Sequence, residues 1–242
     1  MHTYIAMWSG PRNISTAMMR SFENRPDSFV SDEPFYAYYL NKTNLDHPLK
    51  DQIIKKYSTD LKKIVDYLCG EIPNMKTVWY QKHMAHHLLD FENLDWLGNF
   101  KNYILLRDPK EVILSYSRKQ KIQDINQLGF PQLFKIYNKL DCNGLAPLVI
   151  DSKDILMNPK PTLNKICMEL NIPFYKEMLA WPRGKRDSDG LWAKYWYANV
   201  ELSTGFITYK QNINKLSEEY RNIYTECLEY YEYLYSKKVC IN

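Results

Sequence analysis

The chain has 242 residues, of which 45% are hydrophobic and 25% charged, and a formal net charge of +4. That length suffices for one well-buried α/β domain and is short for two, and the composition is that of a soluble globular protein. So mild a charge argues against a nucleic-acid partner but suits a local basic pocket for an anionic ligand.

The five cysteines (Cys69, Cys142, Cys167, Cys227, Cys240) are odd in number, scattered and never in a C-x-x-C pair. They read as reduced thiols rather than a disulfide framework or a zinc site. No basic segment followed by an apolar core opens the chain, and no apolar run approaches the ~20 residues needed to cross a bilayer. The expectation is a cytoplasmic protein with a single domain over residues 1–242, no membrane contact and no nucleic-acid partner.

In chain order, strand-length apolar runs fall at Thr3 to Trp8, Ser28 to Ser31, Thr77 to Gln81, Tyr103 to Leu106 and Pro147 to Ile150. Helical periodicity separates them. From Asp51 to Cys69, Ile53, Ile54, Tyr57, Leu61, Ile64, Val65 and Leu68 share one face. Pro109 sits at a first helical position and opens a helix through Arg118; Asn158-Pro159 starts another reaching Leu170. A long amphipathic helix is expected from Lys215 to Tyr235, and Arg183 to Gly190 has the composition of a mobile loop. Strands alternating with helices predict an α/β fold of three layers, a central parallel sheet covered on both faces. Ligands of such sheets bind at the carboxyl ends of the strands.

At that end of the first strand lies Ser9-Gly10-Pro11-Arg12-Asn13-Ile14-Ser15-Thr16. A strand, a tight loop with one cation and the first turn of a helix aim backbone N–H groups, a helix dipole, two hydroxyls and a guanidinium at one spot, which suits a phosphate or sulfate. The plainer alternative is a turn at Pro11 with Ser9 or Ser15 capping the helix. The loop lacks the glycines and terminal lysine of a Walker A sequence, which weakens a nucleoside triphosphatase reading. A second basic element, Leu106-Arg107-Asp108-Pro109, places Arg107 at the end of a strand and Ser115 two turns into the next helix. Such a pair can clamp one phosphate, unless Arg107 merely pairs with Asp108 or Glu111.

Taken together these segments resemble the sulfotransferase family, particularly its divergent bacterial-type members, whose fold is P-loop-like. Pro11, Arg12, Ser15 and Thr16 match the family's P-[KR]-S-G-[ST]-T loop, with Asn13 and Ile14 in place of its serine and glycine. Arg107 and Ser115 reproduce its arginine and serine eight residues apart. Asp154-Ile155-Leu156-Met157-Asn158-Pro159-Lys160 is similar to its strand-to-helix turn, and Arg183-Gly184-Lys185-Arg186 with Gly190-Leu191-Trp192 to its late basic loop.

The resemblance implies a cofactor, 3′-phosphoadenosine 5′-phosphosulfate (PAPS), as sulfuryl donor. Arg12, Asn13, Ile14, Ser15 and Thr16 would hold its 5′-phosphosulfate and Arg107 and Ser115 its 3′-phosphate, with Arg183, Lys185 and Arg186 closing over it. The acceptor would be a small molecule or a carbohydrate. Two other readings stay open: a catalytically silent nucleotide-binding module and a phosphoryl-transfer enzyme.

Sulfuryl transfer needs a base for the acceptor. Glu33, in Ser31-Asp32-Glu33-Pro34, and His83, in Gln81-Lys82-His83, each follow a strand. Glu33 is taken as the base, with Lys82 and His83 in support. His83 and His87, four apart, would share a helix face, yet no third ligand completes a metal site, and none is expected. The aromatic runs at residues 35–39, 192–197 and 230–235 are helix faces packing on the sheet or, for Tyr36, Tyr39 and Trp196, walls of an acceptor pocket.

Overall fold

A computed structural model describes residues 2–91 and 93–241. Five parallel strands form one sheet in the order β2-β3-β1-β4-β5. They are β1 (Thr3–Ser9), β2 (Ser28–Asp32), β3 (Val78–Met84), β4 (Lys101–Leu106) and β5 (Leu148–Asp151). The central strand β1 pairs with β3 on one side and β4 on the other, with Ser9 opposite both Met84 and Leu105. Three strand ends therefore converge on the loop after β1, at the point where the chain switches from one half of the sheet to the other.

Alternation along the strands sorts the core into two layers. Ile5, Met7, Val30, Tyr80, Tyr103, Leu105 and Ile150 face one side. There they pack against Met18, Met19 and Phe22 of α1 (Ser15–Glu23), parts of α2 (Tyr36–Thr43) and α3 (Lys50–Lys56), and Leu163 and Ile166 further along the chain. Ala6, Trp8, Trp79, Ile104, Leu106 and Val149 face the other side, toward Ile64 and Leu68 of α4 (Leu61–Leu68). α5 (Pro109–Tyr116) follows β4, and α6 (Phe130–Asp141) adds Leu133, Ile136 and Leu140 to the second layer. α7 (Ser152–Met157) and α8 (Pro159–Glu169) follow β5. Two short turns, α9 (Ala193–Trp196) and α10 (Ala198–Glu201), precede the last helix, α11 (Arg221–Tyr235). The three-layer α/β architecture is the one expected.

The differences are local. The single helix expected from Asp51 to Cys69 is two, α3 and α4. Tyr57 is extended, and the Asp60 side chain accepts from the Lys63 N–H, so a new helix is nucleated by its own cap. α11 begins at Arg221 rather than Lys215. β3 runs on through Met84, three residues past its expected end. Among the described residues no helix is long and apolar enough to cross a membrane.

Candidate active site

The loop after β1 is shaped by a close backbone approach. A Cβ on Gly10 would lie 2.3 Å from the Leu128 carbonyl oxygen, and Gly129, at φ 78°, would in turn meet the Gly10 Cα. Only glycines let these two segments touch. Beyond Gly10 the chain takes left-handed dihedrals at Arg12 (φ 60°) and Ile14 (φ 23°). For a β-branched residue such as Ile14 this is strained backbone, of the kind that collects at ligand-binding sites.

The buried Asn13 amide donates to the Leu105 carbonyl and anchors the loop to β4, while its Oδ1 is buried without a partner. The cap position of α1 is Ile14, and no side chain caps the helix. Ser15 is the first helical residue and Ser9 Oγ points to Met84 Sδ, so neither serine serves as the cap. Residues 11–17 line a cavity of about 800 Å³. The polar ends of α1 thus face open space rather than a side chain of their own.

Cations gather beside this helix end. Arg12 Nε donates to Ser115 Oγ at 3.0 Å, and Arg107 donates to the Arg12 carbonyl at 2.7 Å and to Glu111 at 3.0 Å. Burial, then the charges of Arg107 and Arg118, lower the Arg12 pKa. Like charges held together at a helix N-terminus are relieved by an anion. Arg107 and Ser115 both line the cavity with the loop.

A second cluster borders the same cavity. Lys82 Nζ lies 2.8 Å from Asp32, 2.5 Å from Glu33 and 2.7 Å from the Tyr197 hydroxyl. Tyr197 donates to Asp32 at 2.7 Å, as does the Gly190 N–H at 3.1 Å, and Trp192 Nε1 reaches Tyr197 at 3.2 Å. Burial opposes the charge on Lys82, but the two carboxylates outweigh it and raise its pKa. Glu33 is pushed up by burial, against the pull of Lys82 and with a further push from Asp32. One ammonium between two carboxylates leaves a net negative charge, and Glu33 is the member inclined to carry a proton. Glu33 itself sits at φ 46°, held by its N–H on the Lys82 carbonyl.

Tyr36, Tyr39, His47, His86, His87 and Trp196 wall the cavity near Glu33. His87 is sandwiched between Tyr36 (4.5 Å, 5°) and Tyr39 (4.8 Å, 27°). Burial lowers the pKa of His86 to about 3 and that of His87 well below its ordinary value, so both are neutral imidazoles.

A basic helix end and a buried carboxylate–lysine cluster thus share one cavity on a five-stranded parallel sheet. The sequence profile described as "Sulfotransferase domain" covers residues 3–237. The chain belongs to this family.

Solved structures similar to this sulfotransferase domain include a sulfotransferase from Alicyclobacillus acidocaldarius (TM-score 0.55, 10% identity, 99% of this chain and 98% of that one). A sulfotransferase domain from the Synechococcus PCC 7002 olefin synthase is another (0.54, 15%, 99% and 96%). A third is the sulfotransferase domain of the curacin biosynthetic pathway (0.53, 17%, 93% and 97%). At these identities they show a shared fold.

Two curated proteins of Arabidopsis thaliana, named branched-chain-amino-acid aminotransferase-like proteins 2 and 1, are also similar. The first is 34% identical over 95% of this chain and 41% of its own length. The second is 36% identical over 86% of this chain and 37% of its own length. The sulfotransferase domain thus spans about two fifths of these relatives.

Not every expected residue lies in the cavity. His83 is fully buried in the second core layer, stacked on Trp8 at 4.4 Å, with neither ring nitrogen hydrogen-bonded. β3 continues through it, and strand alternation turns Lys82 toward the site and His83 to the opposite face. His83 therefore does not support the base. It also shares no helix with His87, because His83 is in the strand and His87 in the 3₁₀ turn beyond it.

Arg183, Lys185 and Arg186 lie away from the cavity too. Arg183 and Lys185 are exposed, and Arg186 sits 3.5 Å from Glu23 at the far end of α1. Asp189 accepts from Arg20 at 2.7 Å, so the stretch expected to be mobile is tied to that helix. The following Gly190 and Trp192 do reach the site, as supports for Asp32 and Tyr197.

Residues 205–210 line the cavity instead, ending in Tyr209 and Lys210. Tyr209 donates to Glu111, the partner of Arg107, at 2.8 Å. Nothing in the sequence singled out this segment, which has neither helical nor strand periodicity. Tyr197 also went unnoticed as a partner of Glu33, and His87 as facing its other oxygen. Their proximity arises from tertiary folding across more than 50 residues of chain.

Proposed function

We propose that this domain transfers a sulfuryl group from PAPS to a hydroxyl or amine of a small-molecule or carbohydrate acceptor. The observation that carries the reading is the joining, in one cavity, of an uncapped helix N-terminus flanked by Arg12 and Arg107 with a carboxylate inclined to take a proton. The crowded Arg12–Arg107 pair and the open turn of α1 fit the two ends of a nucleotide bearing separate anionic groups.

Arg12, Asn13, Ile14, Ser15 and Thr16 would hold the 5′-phosphosulfate, and Arg107 and Ser115 the 3′-phosphate. When bound, PAPS supplies an activated sulfuryl group with a nucleotide phosphate as leaving group. Glu33 takes the proton of the acceptor as the acceptor oxygen bonds to sulfur. Lys82 holds and orients Glu33 through its 2.5 Å ion pair, with Asp32 and Tyr197 fixing Lys82 in turn. That commitment of all its contacts makes Lys82 a positioning residue here.

Transfer of ³⁵S from labelled PAPS tests the reading. Glu33→Gln is expected to abolish transfer by at least about a hundredfold, as for loss of a general base, while keeping affinity for 3′,5′-adenosine bisphosphate. Unchanged transfer in Glu33→Gln would overturn the assignment of the base.

A further inference from the structure

Lys82 and Tyr197 both engage Oε1 of Glu33, at 2.5 and 3.4 Å. The other oxygen, Oε2, faces His87 Nδ1 at 3.8 Å. That separation exceeds a hydrogen bond, yet a single oxygen atom placed between the two would lie within bonding reach of both. His87 is 3% exposed, and its Nδ1 is buried with no hydrogen-bond partner. The flanking Tyr36 and Tyr39 rings fix the imidazole in place. A buried, unpartnered polar atom on the wall of a ligand cavity marks a group awaiting a partner.

We infer that the acceptor oxygen seats between Glu33 Oε2 and His87 Nδ1, making His87 an acceptor-binding residue, and that the acceptor is an uncharged or cationic ring-bearing hydroxy compound. The inference rests on the sulfotransferase reading. The acceptor O–H donates its proton to Oε2, the oxygen forms a bond to sulfur, and the bond from sulfur to the nucleotide phosphate breaks with its electron pair on the phosphate. His87 Nδ1, carrying the ring proton, donates to the acceptor oxygen as negative charge develops there.

The charge preference follows from the wall. Of the cavity residues from β2 through residue 47 and from β3 through residue 87, Glu33 and Asp46 are acidic, and Lys82 is the one cation, already paired twice. The other cations of the lining, Arg12, Arg107, Lys121 and Lys210, come from the loop after β1 and from β4 onward. An acidic acceptor would bring further negative charge against this surface. The aromatic lining, with half-buried Trp196 beside His47, suits a planar ring.

The test uses three matched phenols with labelled PAPS: tyrosol (neutral), tyramine (cationic) and 4-hydroxyphenylacetate (anionic). Tyrosol and tyramine should be sulfated with kcat/KM at least about tenfold above the anion, and His87→Ala should lower kcat/KM for them by about tenfold or more, the size of one hydrogen bond to a charged group. Affinity for 3′,5′-adenosine bisphosphate, read by calorimetry, should stay within about twofold, and His87→Asn should recover part of the loss. Preference for the anion, transfer to none of the three by a protein that binds the bisphosphate, or unchanged kinetics in His87→Ala would overturn the inference. Should His87→Ala fail to fold, the charge series on the unaltered protein still decides it. Failure of the unaltered protein to bind the bisphosphate would instead bring down the underlying reading.

Discussion

At the scale of single residues, the account turns on a buried carboxylate that is costly to ionise. Glu33 has a folded pKa above its ordinary value, from burial first and Asp32 after, with Lys82 opposing. The folded state therefore holds a proton that the unfolded state has already released. That contribution to stability is present below the ordinary carboxylate range near about 4.3 and is lost as pH rises through the raised value. Catalysis runs the opposite way, because a base must be deprotonated. The acid limb of the kcat–pH profile should lie above the ordinary carboxylate range and vanish with residual activity in Glu33→Gln; a limb near about 4 would contradict the assignment. Lys82→Met should leave Asp32 and Glu33 facing each other uncompensated. The expected loss is about 3–5 kcal/mol in chemical denaturation, as for breaking a buried ion pair. A loss below about 1 kcal/mol would show that water reaches the cluster.

At the scale of elements, what the sequence disclosed followed from periodicity, and what it hid followed from element ends. All five strands were legible, because Ile5, Met7, Tyr80, Tyr103 and Ile150 sit in runs too apolar for a surface. Pro11 through Thr16 were legible as a polar turn joining a strand to a helix, and Glu33 as the residue after β2. His83 was misread because β3 extends three residues further than its apolar run, and strand alternation then decides its face. The break between α3 and α4 was hidden because the apolar stripe continues across it while Asp60 caps the second helix. Residues 205–210 reach the cavity through long-range contacts such as Tyr209 with Glu111, which no local pattern encodes.

Since His83 is a buried imidazole without hydrogen bonds on the far face of the sheet, His83→Leu should keep sulfuryl transfer within about twofold. Its unfolding midpoint should be equal to or above that of the parent, because unpaired buried nitrogens are removed. A loss of transfer with an intact fold would return His83 to the site.

At the scale of the whole molecule, the sheet acts as a plate that carries chemistry at one edge. The basic helix end sits beside β4, and the carboxylate–lysine cluster at the ends of β2 and β3, so one cavity joins groups from different halves of the sheet. The curated relatives from Arabidopsis thaliana are longer than this chain, which spans 41% and 37% of them. Their aminotransferase-like names describe those whole proteins. The family match and the cavity speak for sulfuryl transfer in this domain.

The claim on which the rest depends is that Arg12, Arg107 and the first turn of α1 bind a nucleotide with separate 5′ and 3′ anionic groups. Titration calorimetry of 3′,5′-adenosine bisphosphate against ATP measures it directly. The account predicts saturable binding of the bisphosphate, weaker binding of ATP, and at least about a tenfold loss of bisphosphate affinity in Arg107→Ala, as for removal of a charge-assisted, bidentate contact. Binding of ATP with none of the bisphosphate, or full affinity in Arg107→Ala, would contradict it.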